Sequence, residues 1–227
     1  MTQEARPHRL VVLFDVDNTL LDNDRFQNDL RRHIARDFGP ETTERYWAIF
    51  EQLRNELGYA DYLGALQRYR LEALHNPKIL RMSDWLMEYD FPRVLYPGAL
   101  EVVDRMRTDG SLPVILSDGD AAFQPRKVVR SGLWQAFRDN VLIYVHKEQE
   151  LDDVERFYPA DHYFLVDDKL RILDNVKQQW GDRVTTVFPR QGHYAQDPET
   201  LAKYPPADIS IDRISDLLTL DLSAFGL

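Results

Sequence analysis

The sequence predicts an α/β fold, a doubly wound parallel sheet into which an all-helical segment is inserted. Short apolar runs alternate with helical spacing over most of the chain, which is typical of parallel strands joined by helices. Residues 25–90 differ, because their apolar side chains recur at helical intervals without a convincing strand pattern. Polar clusters follow four of the apolar runs, at the edge of a parallel sheet where ligands bind.

The first strand is predicted at residues 10–14, a continuous apolar run typical of a strand buried on both faces. Asp15 and Asp17 follow it directly, with Asn18 and Thr19 next. Two acids so close together at the end of a buried strand are not expected to stabilise the fold. They indicate a nucleophile, an acid and a cation site; the alternative interpretation is a strand-end turn.

The helical insertion is predicted at residues 22–92, between core segments 1–21 and 93–227. Gly39-Pro40, Gly58 and Asn76-Pro77 divide it into several short helices. It is either a bundle that covers the sheet or a mobile cap. Four aromatic residues are expected in its core rather than around a substrate: Tyr46, Trp47, Tyr59 and Tyr62.

The remaining strands and helices alternate. Further strands are predicted at residues 112–116, 141–145, 163–166 and 184–188, with a short one at 209–211. Helices are predicted at residues 99–108, around 126–130 and at 170–180, and residues 192–206 are expected to form a loop. The polar residues after these strands are Ser117, Asp118, Gly119, Asp120, His146, Lys147, Asp167 and Asp168.

Composition excludes several classes of protein. With 28 basic and 38 acidic residues the net charge is −10, which argues against a nucleic-acid or anionic-membrane partner. The absence of cysteine excludes disulfides, thiolate zinc sites and cysteine nucleophiles. No run reaches the length of a membrane span, and residues 1–9 lack the apolar core of a signal peptide. We therefore expect a cytoplasmic protein.

The polar clusters suggest phosphoryl chemistry. Asp15 is the candidate nucleophile, and Asp17 is a candidate general acid and base. A magnesium ion, which prefers oxygen ligands, would be held with the help of Asp167 and Asp168. Two hydroxyls and one ammonium could bind the phosphoryl group and neutralise its charge, those of Thr19, Ser117 and Lys147.

The chain resembles the haloacid dehalogenase (HAD) superfamily over nearly its whole length. Its DxDxT motif matches residues 15–19, its second motif ends at Ser117, its basic residue is best matched by Lys147, and its acidic pair matches residues 167–168. The resemblance implies a Rossmann-like core with a C1-type helical cap at residues 22–92. It also implies that Mg²⁺ is held by Asp15, by the Asp17 carbonyl and by Asp167 and Asp168, of which Asp168 is the expected direct ligand.

The resemblance also favours one reaction. The dehalogenases of this superfamily lack an acid at the position of Asp17 and use no metal, so the sequence predicts a magnesium-dependent phosphatase that forms an aspartyl-phosphate. A phosphomutase, a 2-haloacid dehalogenase and a non-catalytic binding protein on the same scaffold are the alternatives. The expected partner is a small phosphate ester, and the chain is expected to be a monomer or homodimer.

Some residues keep two interpretations. Asp118, next to Gly119 in the predicted substrate site, either binds a cationic group or belongs with Asp120 to an acidic turn. Lys127 competes with Lys147 for the catalytic role, although a solvated helix face is its expected place. Arg54 and Arg68 are weak candidates to bind a second anionic group of the substrate. Asp22 and Asp24 could cap the first inserted helix, while Asn23, Asp24 and Arg25 lie where the insertion begins and could touch substrate.

Overall fold

Six parallel strands form the sheet that positions the rest of the chain. The computed structural model describes residues 7–221. Residues 1–6 and 222–227, which belong to the two predicted core segments, lie outside the described residues. The strands are β1 (His8–Phe14), β2 (Leu112–Asp118), β3 (Val141–Tyr144), β4 (Ala160–Val166), β5 (Val184–Pro189) and β6 (Ile209–Ile211). Their order across the sheet is β3-β2-β1-β4-β5-β6, which confirms the predicted doubly wound topology.

The strand order places the site between β1 and β4. The chain runs outward from β1 through β2 to β3 on one side, and from β4 through β5 to β6 on the other. A crevice forms where these directions diverge, outside the carboxyl ends of the strands. Phe14 pairs with Ile115 of β2 and with Val166 of β4, so the residues that follow the three strands come out side by side.

Helices cover both faces of the sheet. They are α1 (Asn23–Phe38), α2 (Pro40–Leu57), α3 (Tyr62–Glu72), α4 (Ile79–Glu88), α5 (Ala99–Thr108), α6 (Phe123–Arg130), α7 (Leu133–Ala136), α8 (Leu151–Phe157), α9 (Leu170–Trp180) and α10 (Pro198–Lys203). β1 shows how the two cores are divided, since alternate residues of a strand point to opposite faces. Leu10, Val12 and Phe14 belong to the larger apolar cluster, whereas Val11 and Leu13 belong to the cluster under α8 and α9.

Helices α1 to α4 are the predicted insertion, and they share the larger apolar cluster with the sheet. Phe26 of α1 is fully buried, and its ring centre lies 5.1 Å from that of Tyr62 on α3 and 5.7 Å from that of Phe123 on α6. Tyr46, Trp47 and Tyr62 are buried as predicted. The same expectation is wrong for Tyr59, which lies beyond the end of α2, is only partly buried and lines a cleft. The insertion therefore packs on the sheet domain through aromatic contacts. Its boundaries at residues 22 and 92 and its motion as a cap stay predictions.

Four elements differ from the expectation: α10, the start of β4, and helices α7 and α8. The predicted loop at residues 192–206 contains α10, which begins with the side chain of Asp197 bonded to the N–H of Glu199 and with Pro198 in the first turn. This start signal was present in the sequence. Strand β4 begins three residues early, because half-exposed Ala160 pairs with His8 at the edge of the apolar run. Helices α7 and α8 were not predicted, being too short for a clear period.

A search of the helices within residues 7–221 found none that combines the length and hydropathy needed to cross a membrane.

The aromatic cluster around Phe26 predicts a large loss of stability on truncation. We expect Phe26→Ala to lower the free energy of unfolding by about 3–5 kcal/mol, because a fully buried ring leaves a cavity. Urea unfolding monitored by circular dichroism measures this change. Phe157→Ala is the matched control, since that ring is 54% exposed and its loss should cost much less. Equal losses in the two variants would contradict the prediction.

Candidate active site

Three carboxylates from two strand ends meet around a shared point. Asp15 follows β1, and Asp167 and Asp168 follow β4; all three are buried, and each offers an oxygen within 4.8 Å of the others. The register explains the meeting, since the N–H of Asp15 donates to the carbonyl of Val166 at 2.9 Å. The predicted convergence of these acids, which are far apart in the sequence, is therefore present.

Lys147 lies between two of these acids. It follows β3, and its Nζ is 2.6 Å from Asp15 Oδ1 and 2.6 Å from Asp167 Oδ2. Nζ also donates to the carbonyl of Leu116 at 3.2 Å. Burial opposes the charged ammonium, but the Asp15 and Asp167 carboxylates raise the pKa of Lys147 above its usual range. Of the two candidate lysines, Lys147 is therefore the one that contacts Asp15.

The acids retain more negative charge than Lys147 neutralises. Asp15 Oδ2 and both carboxylate oxygens of Asp168 are buried without a hydrogen-bond donor among the described residues. Burial, with the neighbouring Asp15 carboxylate, raises the pKa of Asp167 to about 6 and raises that of Asp168 well above its usual value. Unpaired buried carboxylate oxygens are costly, and a hard cation would satisfy them. The donor set therefore fits a divalent metal such as Mg²⁺.

A tight turn after β1 brings Asp17 back toward the cleft. Asn18 has a φ of 59°, in the left-handed region that asparagine tolerates, and its Oδ1 accepts hydrogen bonds from the N–H groups of Asn23 and Asp24. Thr19 is fully buried, and its Oγ1 accepts a hydrogen bond from the N–H of Asp168 at 3.1 Å. In this structure Thr19 thus ties together the loops after β1 and β4, and its predicted contact with substrate stays a prediction.

Asp17 is held by a second buried lysine. Lys127 Nζ lies 2.7 and 2.9 Å from the two carboxylate oxygens of Asp17, whose side chain is 22% exposed. The rings of Phe26, Tyr62 and Phe123 surround this ammonium at 5.6 to 5.8 Å.

The expectation that Lys127 lies on a solvated helix face is therefore wrong. Phe123 and Lys127 are one helical turn apart on α6, on the face that packs against the insertion. Because Asp17 is the partner of Lys127 and lies far away in the chain, helical spacing alone did not reveal that the lysine is buried.

The end of β2 and the start of α6 contribute Asp118 and Gln124 to the lining of the cleft. Ser117 is buried, and its Oγ accepts a hydrogen bond from Gln124 Nε2 at 3.0 Å. Gln124 is a site residue that the sequence did not suggest; its side chain also lies 3.4 Å from Asp17 Oδ2. A Cβ on Gly119 would lie 2.5 Å from that of Gln124, which explains the glycine.

Asp118, the last residue of β2, and Asp120 have separate partners. Asp118 lines the cleft, and its Oδ1 accepts a hydrogen bond from the N–H of Lys147 at 2.8 Å. Asp120 accepts hydrogen bonds from the N–H groups of Ala122 and Phe123 at the start of α6, as expected of an acidic turn.

The two acids at the start of the insertion also have partners. Asp22 caps α1 by accepting a hydrogen bond from the N–H of Arg25 at 2.9 Å, which is the structural role considered for it. Asp24 instead accepts hydrogen bonds from the backbone and ring of His193 at 2.8 and 2.7 Å. It thereby connects the insertion to the segment after β5.

A cleft of about 320 Å³ lies above these residues. Asp17, Asp118 and Asp168 line its inner end, while the insertion and the segment after β5 supply the outer walls. Arg54 lines the cleft, whereas Arg68 is paired with Glu56 at 2.6 Å and is not part of the lining. The lining residues that the sequence did not suggest include Gln27, Lys169, Arg171, His193, Tyr194, Lys203 and Tyr204.

Comparisons with known proteins agree with this arrangement. A family model described as haloacid dehalogenase-like hydrolase matches residues 10–154. A crystal structure from Burkholderia xenovorans LB400, classed as a haloacid dehalogenase-like hydrolase, is 56% identical, with a TM-score of 0.92 and coverage of 97% of this chain and 100% of the other. A search of curated proteins found no match.

More distant solved structures share the fold. The L-2-haloacid dehalogenase from Xanthobacter autotrophicus with chloropropionic acid covalently bound is 18% identical, with a TM-score of 0.60 and coverage of 96% of this chain and 99% of the other. A HAD hydrolase from Bacillus subtilis bound to magnesium is 15% identical, with a TM-score of 0.61 and coverage of 98% and 100%. On the family model and the Burkholderia structure, the chain belongs to the haloacid dehalogenase-like hydrolase family.

Proposed function

We propose that the protein is a magnesium-dependent hydrolase of small phosphate monoesters. The observation that carries this proposal is the pair of acids after β1: Asp15 is buried against Lys147 and the acidic cluster, while Asp17 lines the cleft in contact with Lys127. Stepwise phosphoryl transfer requires a nucleophilic carboxylate and a second group nearby that acts first as general acid and then as general base.

The reaction follows from the positions of these two side chains. A carboxylate oxygen of Asp15 attacks phosphorus and forms an aspartyl-phosphate, while the bond to the ester oxygen breaks and that oxygen takes a proton from Asp17. The resulting Asp17 carboxylate then accepts a proton from water, which attacks the phosphorus. Inorganic phosphate leaves and the carboxylate of Asp15 is restored. Lys147 holds Asp15 in place and offsets negative charge as the phosphoryl group approaches.

The metal would be held by the carboxylates of Asp15, Asp167 and Asp168, together with the backbone carbonyl of Asp17. Support comes from the unpartnered buried oxygens of Asp15 and Asp168. When bound, Mg²⁺ supplies positive charge that offsets repulsion between the carboxylates and the phosphate.

Three other outcomes have distinct products. A phosphomutase would yield an isomerised sugar phosphate, a 2-haloacid dehalogenase would release chloride from 2-chloropropionate without magnesium, and a binding protein would turn over none of these compounds. Because the dehalogenase neighbour is only 18% identical, its likeness concerns the fold alone. The presence of an acid at position 17, which the dehalogenases of this superfamily lack, favours the phosphatase.

We expect Asp15→Asn to reduce hydrolysis of p-nitrophenyl phosphate by roughly three orders of magnitude or more, because the nucleophile is lost. Release of p-nitrophenolate with Mg²⁺ present is the measurement. Asp161→Asn, which alters an exposed acid on β4, serves as the control and should retain full activity. Wild-type turnover by the Asp15 variant would remove this residue as nucleophile.

We expect Asp17→Asn to separate the two chemical steps. Because p-nitrophenolate leaves without needing a proton, the first turnover should remain fast, whereas hydrolysis of the intermediate should slow by about 10²- to 10⁴-fold. Rapid-mixing kinetics should then show a burst of product before a slow steady state. Asp120→Asn is the matched control, since asparagine can still cap α6. Slow release without a burst would contradict this division of roles.

Magnesium should stabilise the protein more at about pH 7.5 than at about pH 5. The pKa of Asp167 is raised to about 6 in the folded protein, so the folded state binds this proton more tightly than the unfolded state. Stability of the metal-free protein should therefore fall as pH rises from about 4 through 6, as the acids ionise. Since a metal binds the ionised form, its effect grows over the same range.

The measurement is the change in Tm produced by Mg²⁺ at each pH. Asp168→Asn removes an expected ligand and should abolish the magnesium-dependent shift. A shift of equal size at both pH values would show that these acids do not hold the metal.

A further inference from the structure

The outer part of the cleft is rich in positive charge although the whole chain carries a net charge of −10. The acids of the lining, Asp17, Asp118 and Asp168, all belong to strand ends at its inner side. The cations are Arg54 from α2, Lys169 and Arg171 from the β4–α9 connection and α9, and Lys203 from α10, with His193 beside them. Such a division of charge is expected where a ligand brings more negative charge than the phosphoryl group alone.

Three of these groups already have partners. Arg171 pairs at 2.6 Å with Glu148, whose side chain is buried, and His193 Nδ1 lies 2.7 Å from Asp24. Although burial disfavours its charged form, the nearby Asp15, Asp168 and Asp167 carboxylates raise the pKa of Lys169 well above its usual value, so these acids offset its charge.

Arg54 and Lys203 lack strong partners. The carboxylate nearest Arg54 is that of Glu51, at 3.7 Å, and it is 55% exposed, so the pair contributes little. Within residues 7–221 no acid forms an ion pair with Lys203, whose Nζ lies 5.5 Å from the ring centre of Tyr204. Two cations are therefore available at the outer end of the cleft.

Tyr194 joins the insertion to the sheet domain at this point. Arg54 donates a hydrogen bond from Nη2 to the Tyr194 hydroxyl, and its guanidinium carbon lies 6.0 Å from the ring centre. Lys169 Nζ lies 5.8 Å from the centre of the same ring. Tyr194 is thus in contact with both the Arg54 guanidinium and the Lys169 ammonium, and all three residues line the cleft.

We propose that Arg54 and Lys203 bind a second anionic group of the substrate, a carboxylate or another phosphate, while its ester phosphate lies at Asp15. This assignment rests on the proposed function and specifies its substrate class: small phosphate monoesters that carry a further negative charge. A guanidinium suits either group, because its paired N–H donors match two oxygens of a carboxylate or a phosphate. A volume of about 320 Å³ limits the ligand to a small metabolite.

The test compares esters that differ only in the distal group. Phosphoglycolate and its longer ω-phosphooxy acid homologues are assayed against alkyl phosphates of equal length, and alkanediol bisphosphates form a third series. Phosphate release with Mg²⁺ gives kcat/KM for each compound. The wild type is compared with Arg54→Gln and Lys203→Gln, and with Arg68→Gln as the matched control, since Arg68 belongs to the same insertion but pairs with Glu56 away from the cleft.

In the wild type, we expect the acids or the bisphosphates to exceed the alkyl phosphates in kcat/KM, and the better series identifies the anion. Arg54→Gln should reduce this ratio by about tenfold or more, as expected for a lost charge-assisted hydrogen bond. Lys203→Gln should reduce it in the same direction, whereas Arg68→Gln should preserve it. An unchanged ratio in Arg54→Gln, or an equal fall in Arg68→Gln, would overturn the proposal.

Failure of the proposed function gives a different result, since no ester of any series would then release phosphate. In that case calorimetric titration of the same compounds into the wild type and Arg54→Gln, with Mg²⁺ present, tests the anion site without turnover. Tighter binding of the acids or bisphosphates than of the alkyl phosphates, weakened in Arg54→Gln, would support it. Equal binding of all three series would refute it.

Discussion

The structure depends above all on the neutralisation of buried charge at the carboxyl end of the sheet. Asp15, Asp167 and Asp168 are buried together, and Lys147 contacts two of them at 2.6 Å. Buried ions are tolerated only when paired, so this contact holds the ends of β1, β3 and β4 in one arrangement. The ammonium groups of Lys147 and of the nearby Lys169 do not balance three carboxylates, and a bound cation would offset the remaining negative charge. The excess of buried negative charge thus both orders the strand ends around Lys147 and favours the binding of a metal ion.

Lys127 neutralises the charge of Asp17 in a similar way, and its contacts come from different parts of the chain. Its ammonium lies among aromatic rings of α1, α3 and α6 while it bonds both carboxylate oxygens. The position of Asp17 is therefore linked to the packing of the insertion on α6. A displacement of the insertion would therefore alter the surroundings of the proposed acid and base.

The cleft extends this separation of charge outward. Acids lie at its inner end, where a metal would offset them, and the cations without strong partners lie at its outer end, on the insertion and on α10. The proposed catalytic groups Asp15 and Lys147 follow the ends of strands, whereas Arg54 and Lys203, which are proposed to select the substrate, lie on helices α2 and α10.

The α/β class, the approximate bounds of five strands and the acids that meet at the site could all be predicted from the sequence. Each of these depends on local properties: an apolar run, a period, or a polar residue after a strand. Tertiary structure alone decided that Lys127 is buried against Asp17, that Gln124 bonds Ser117, and that Tyr194 and Lys203 reach the cleft beside Arg54. Most of these contacts join residues that are far apart in the chain, and the others depend on how a helix packs. A local sequence pattern does not indicate which side chains will be in contact after folding.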